Sequence, residues 1–102
     1  GKYKISTANL SECHDKALSI GEVSELNANE VKIDNSNIGI SVKDYSKSLI
    51  KNFTATAVNV CAEAFQKKQE FGGAIANFKV LNCDGSLNND QNSLINRNYN
   101  EL

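Results

Sequence analysis

Apolar and polar positions alternate along most of this chain, in short runs broken by Asn, Ser, Gly and Asp. Val31 and Ile33 flank Lys32, and Ile38, Ile40 and Val42 enclose Gly39 and Ser41. Side chains of an extended strand point to opposite faces in turn, so this alternation predicts half-buried strands. By that reading Ile38, Ile40 and Val42 share an inner face, with Gly39 and Ser41 on its reverse. The intervening residues are turn formers that tolerate left-handed backbone.

The runs recur at a fixed distance. A shift of 22 residues lays Asp15-Lys16-Ala17-Leu18-Ser19-Ile20 on Asn37-Ile38-Gly39-Ile40-Ser41-Val42, and that on Asn59-Val60-Cys61-Ala62-Glu63-Ala64. Glu22 then meets Asp44, and Ser24 meets Ser46. On a second track, Glu30-Val31-Lys32-Ile33 falls on Asn52-Phe53-Thr54-Ala55 at the same 22, and Asn77-Phe78-Lys79-Val80 follows after 25. The three extra residues are assigned to 65–73. A third short strand is expected where Ala28, Ile50 and Ile75 align.

Strands repeating every 22 residues with no helix between them predict a coil that stacks on itself, at the interstrand spacing of roughly 4.8 Å. Equivalent residues then form ladders. The expected interior ladders are Leu18/Ile40/Ala62, Ile20/Val42/Ala64, Val31/Phe53/Phe78 and Ile33/Ala55/Val80. Asp15/Asn37/Asn59 forms a polar ladder at a bend, and Asn at the turns accounts for the fifteen asparagines. An antiparallel sandwich also predicts alternation, but not residue-type identity at a fixed period. Lys16 falls where Ile38 and Val60 fall, so the first coil is expected to open there or to be an end coil. The chain thus reads as all-β, a short solenoid of three to four coils over residues 1–84. An Asn-rich tail over 85–102 caps the stack or frays, with one short strand around Ser93-Leu94-Ile95.

The segments Asp15-Lys16-Ala17-Leu18-Ser19-Ile20-Gly21-Glu22, Asn35-Ser36-Asn37-Ile38-Gly39-Ile40-Ser41-Val42-Lys43-Asp44-Tyr45-Ser46 and Lys67-Lys68-Gln69-Glu70-Phe71-Gly72-Gly73-Ala74 resemble the right-handed parallel β-helix repeat proteins. The likeness covers residues 4 to 84. It implies the C-terminal coils of a bacterial exported or surface protein, extracellular or in the cell envelope, with a polysaccharide-related role. That family includes lyases, epimerases, adhesins and non-catalytic scaffolds, so the repeat does not choose a reaction.

Composition narrows the rest. The chain has 102 residues, no Pro, no Met and no Trp, and a net charge of −1. The missing initiator Met suggests a piece of a longer protein, with further coils upstream. The balanced charge offers no bulk field for nucleic acid. No apolar run approaches the roughly 18 residues of a membrane span, and Gly1-Lys2-Tyr3-Lys4-Ile5 is not a signal sequence. Asn9-Leu10-Ser11 and Asn52-Phe53-Thr54 are glycosylation sequons, relevant only in a eukaryotic secretory pathway. Three cysteines allow at most one internal bridge. The spacing places Cys83 beside Val58 and Ser36, on the track of Cys13 and away from Cys61, and all three are expected to be free, small apolar residues.

Chemistry-bearing residues are few. His14 is the single His, and Cys13 and His14, as strand neighbours, face opposite ways. No metal or cofactor is expected. The outward rows of a solenoid are where a polysaccharide would lie. Ser19, Ser41 and Glu63 form one such row, and Gly21, Lys43 and Phe65 the next. The candidate ligand-binding residues are Lys43, Asp44, Glu63, Lys67, Lys68 and Glu70, the last three from the 65–73 loop. Uronate elimination needs a cation to neutralise the carboxylate and a base for the proton α to it, which Lys43 with Asp44 or Glu63 could supply. Arg97 is the only Arg, outside this group. The sequence therefore favours a non-catalytic module that binds or scaffolds polysaccharide, over a fragment of a lyase or epimerase. With three Thr, a regular ice-binding face is disfavoured. Open coil ends suggest end-to-end self-association.

Overall fold

The computed structural model of the chain describes residues 1–21, 23–66 and 72–97. It is a parallel β-solenoid of about four turns, with no helix among the described residues. Three strands of 19 residues, β1 (Lys2–Ile20), β2 (Glu25–Lys43) and β3 (Lys47–Phe65), each form one coil. The fourth coil is β4 (Ile75–Cys83) and β5 (Ser86–Asn89), and β6 (Leu94–Asn96) starts a fifth. All pairings are parallel: β1 on β2, β2 on β3, β3 on β4 and β5, and β4 on β6.

Each long strand bends twice, which gives the solenoid three faces. In β2, Leu26 and Ala28 point inward, then Asn29 and Glu30 break the alternation, and Val31 and Ile33 point inward again. Past a second corner at Asp34 to Asn37, Ile40 and Val42 complete the core. The second corner stacks three left-handed residues, Glu12 (φ 54°), Asn35 (φ 59°) and Ala57 (φ 55°). A non-glycine residue there costs about 1 to 2 kcal/mol, least for Asn. The Asp84 carboxylate offsets this at Ala57 by accepting its backbone N–H at 3.1 Å.

Coil junctions are joined by the same ladder. Backbone N–H groups of Glu25, Lys47, Ile75 and Leu94 donate to the carbonyls of Gly1, Ser24, Ser46 and Ala74, at 2.8 to 3.0 Å. Buried serines reinforce the junctions: Ser46 Oγ accepts from Ser24 N at 3.1 Å and donates to the Gly21 carbonyl, and Ser93 Oγ accepts from Ala74 N at 2.9 Å.

The ladders Leu18/Ile40/Ala62 and Ile20/Val42/Ala64 are present as expected, as is Val31 over Phe53. The fourth coil departs from the expected register. Lys47 pairs with Ile75, an offset of 28 residues and not 25. Phe78 therefore stacks on Ile50 and Ala28, Leu81 on Phe53, and Cys83 on Ala55, while Val80 is exposed and Ile75 sits over Lys47. The physical reason is the first corner. Asn29-Glu30, Lys51-Asn52 and Lys79-Val80 are each two successive residues that do not enter the core, and only this offset stacks bend on bend. It also buries Phe78 completely against the edge of Phe53, with ring centroids 5.1 Å apart.

That register overturns the expected free thiols. Cys83 enters the core on the Ile33/Ala55 ladder and forms a disulfide with Cys61, across a Cα–Cα distance of 6.2 Å. Cys13 alone is free, on the Ser36/Val58 track. The bridge lies where the fourth coil cuts its corner short, with two residues between β4 and β5. Gly85 is needed there, since a Cβ would stand 2.7 Å from the Val58 carbonyl oxygen. Gly39 also differs from expectation. It is buried and faces inward, where a Cβ would lie 2.4 Å from the Cys61 carbonyl oxygen and 3.1 Å from Phe53 Cζ. The Lys16/Ile38/Val60 row is half-buried, and Lys16 lies in β1, an end coil of the described stack, as one of the two expected alternatives had it.

Two changes test this packing. Replacing Cys61 and Cys83 together by Ala should destabilise the fold by about 3 kcal/mol, the chain-entropy value for a loop of this length. An unchanged denaturant midpoint, or more than one titratable thiol in the native protein, would contradict the bridge. The Ser48 hydroxyl is buried without a partner on the Leu26/Ser48/Ala76 ladder. Ser48→Ala should therefore stabilise the protein by about 1 kcal/mol, and a loss of stability would show that the hydroxyl is satisfied.

Candidate functional site

Of the residues proposed from sequence, Lys43, Asp44 and Glu63 lie among the described residues, and the register sets Lys43 and Glu63 in neighbouring rows of adjacent coils. Ser19, Ser41 and Glu63 do share one row, continued by Asn88. Ser41 is fully covered within that row, and its hydroxyl donates to Glu63 Oε1 at 2.8 Å. Glu63 is thus already engaged. Lys43 pairs with Phe65 in the next row and is half-buried. Asp44 is 1% exposed, a correction to its expected place on an accessible loop. It occupies the coil junction with left-handed φ (49°), where its N–H donates to the Phe65 carbonyl and its carbonyl accepts from Val23. Burial follows from that role, because the junction must turn inward to reach the next coil. Lys67, Lys68 and Glu70 lie outside the described residues.

The base of the 65–73 insertion is held by a residue the sequence reading missed. Asp90 accepts the Gln66 backbone N–H at 2.7 Å and the Asn92 N–H at 3.2 Å, and Asn92 Nδ2 donates to Gln66 Oε1 at 2.8 Å. These donors, the Gln66 N–H foremost, hold the Asp90 carboxyl below its ordinary range against the opposing effect of desolvation. A carboxyl lowered in the folded state adds stability above its unfolded value of about 3.9, which is lost as pH falls through the folded value. An NMR titration should place the Asp90 midpoint below that of an ordinary Asp, and Asp90→Asn should remove that part of the acid dependence. A midpoint at or above the ordinary value would contradict the clamp.

At the second corner, Glu12, Cys13, His14, Asn35, Asn37 and Asn59 line an open polar groove. Asn59 Nδ2 donates to Asn37 Oδ1 at 2.9 Å, as a stacked amide ladder should. Asp15 falls in the register shift between Cys13 and Lys16 and is not hydrogen-bonded into that ladder. No group of three or more His, Cys, Asp and Glu is placed to hold a metal among the described residues.

The first face carries the arrangement most distinct from the rest of the surface. Its outward rows are Lys2/Glu25/Lys47/Ile75 and Lys4/Asn27/Leu49/Asn77/Asn96, with Lys51 and Lys79 side by side at its bend. All five lysines are exposed, and the acidic residues beside them are Glu25 on the face and Glu30 at its bend. Lys4, Ser6, Asn27, Asn29, Leu49 and Lys51 border an open groove of 390 Å³ on this face. Asn96 Nδ2 donates to Asn77 Oδ1 at 2.6 Å alongside. Among the other described residues Arg97 follows β6, and the corners and the other two faces hold Lys16, Lys32 and Lys43 against Glu12, Asp15, Glu30, Asp34, Asp44, Glu63, Asp84 and Asp90. A chain of nearly zero net charge thus carries a basic face and an acidic remainder. Among the described residues the one ion pair is Lys32 with Glu30, at 3.6 Å on the second face. Sequence reading missed these lysines because residues 2, 4, 47, 51 and 79 meet only through the coil register.

The chain defines a parallel β-solenoid with one disulfide and three open polar faces. Compared with protein families, curated proteins and solved structures, it matches none.

Proposed function

We propose that this solenoid is a non-catalytic module that binds or scaffolds polysaccharide outside the cytoplasm, as in a bacterial surface or exported protein. The observation that carries the reading is the form of the outward faces. They are long and open, with rows of Asn, Ser, Thr and Lys side chains at interstrand spacing, and these suit an extended, hydroxyl-rich polymer. Of the groups that uronate elimination would need as a base, Asp44 is buried and Glu63 accepts a hydrogen bond from Ser41. The Cys61–Cys83 bridge supports an oxidising compartment, where such bonds persist.

Two measurements bear on this. Incubation with polygalacturonate or alginate should generate no ultraviolet absorbance from unsaturated uronates, whereas a glycan array should register binding. Turnover of either polymer would replace the module by an enzyme. Absence of binding to every neutral and acidic glycan would remove the polysaccharide role.

A further inference from the structure

Building on that reading, we propose that the first face is the binding surface and that its ligand is an anionic glycan, a chain bearing carboxylate or sulfate groups. The lysines there are not dispersed in the manner of an ordinary soluble surface, where both signs are interspersed. Lys51 and Lys79 occupy equivalent positions on adjacent strands, and like charges placed directly across a strand pair destabilise the sheet. Lys4 lies across the same groove from Lys51, and Asn27 and Asn29 sit between them. An anionic group in this groove relieves the repulsion, while the asparagine amides supply donors and acceptors for neighbouring hydroxyls. The acidic residues of the other faces restrict the attraction to this side, within a Debye length of about 8 Å at physiological salt.

The same face argues against a nucleic acid ligand. Single strands are held by aromatic side chains on which bases stack, together with Arg. The outward rows of this face contain neither.

The test is titration calorimetry of the full chain against polygalacturonate, heparin, a neutral cello-oligosaccharide and a single-stranded oligonucleotide. The variants are the triple Lys4→Gln/Lys51→Gln/Lys79→Gln and, as a control on the second face, Lys32→Gln. Both variants are judged only after circular dichroism shows an unchanged fold. Polygalacturonate or heparin should bind the parent chain, weaken with added salt, and lose about tenfold or more in affinity in the triple variant, while Lys32→Gln leaves binding unchanged. Anionic glycan binding that survives the triple substitution would overturn the assignment of this face. Equal binding of neutral and anionic glycans would overturn the ligand class and leave the glycan-binding reading intact. Binding to none of the glycans would overturn both, and preferential binding of the oligonucleotide would replace the ligand by a nucleic acid.

Discussion

Each coil of this protein must lay its backbone N–H and C=O groups against those of the coil before it, for a whole turn and not merely along one straight strand. Corners must therefore stack on corners, since a bend laid over a straight segment would break the ladder and leave buried polar groups unpaired. The left-handed positions at Glu12, Asn35 and Ala57 repeat for this reason, even though only one of them is an asparagine. The same requirement governs the passage from the third coil to the fourth. It also sets the offset of β4, and through it the identity of every side chain that enters the upper core.

The interior and the exterior of the molecule answer to different demands. Inside, each ladder needs matched volumes, and the fully buried Phe53 and Phe78 fill the widest part of the third and fourth coils. Outside, successive coils are free to place any polar side chain in a row, and the rows on the three faces have diverged. One is basic and amide-rich, and the others are neutral to acidic. A regular scaffold thus converts residues distant in sequence into a surface with fixed spacing, as solenoids do in general.

The 22-residue period made the first three coils legible, because Ile40, Ala62, Val42 and Ala64 sit where counting places them. The fourth coil was not, since Phe78 and Val80 alternate plausibly in either register. What decides between registers is the stacking of Lys79-Val80 on the bend at Lys51-Asn52, which no local pattern announces. The disulfide was lost with that register, as was the inward turn of Gly39. Asparagine was read as a turn signal, yet Asn27, Asn77 and Asn96 line a flat face, where their amides serve the surface and not the bends. The basic face was illegible for a related reason: these lysines are strand residues of three coils, brought together only by the register.

The covalent bond between Cys61 and Cys83 also makes one junction of the stack unlike the others. A solenoid without cross-links can peel from either end, one coil at a time, because each coil touches only its neighbours. Here the fourth coil cannot leave the third while the bridge is intact, whereas β1 is held to β2 by hydrogen bonds and packing alone. Under tension or thermal stress these two coils should therefore stay joined while others part, like two turns of a spring soldered at one point.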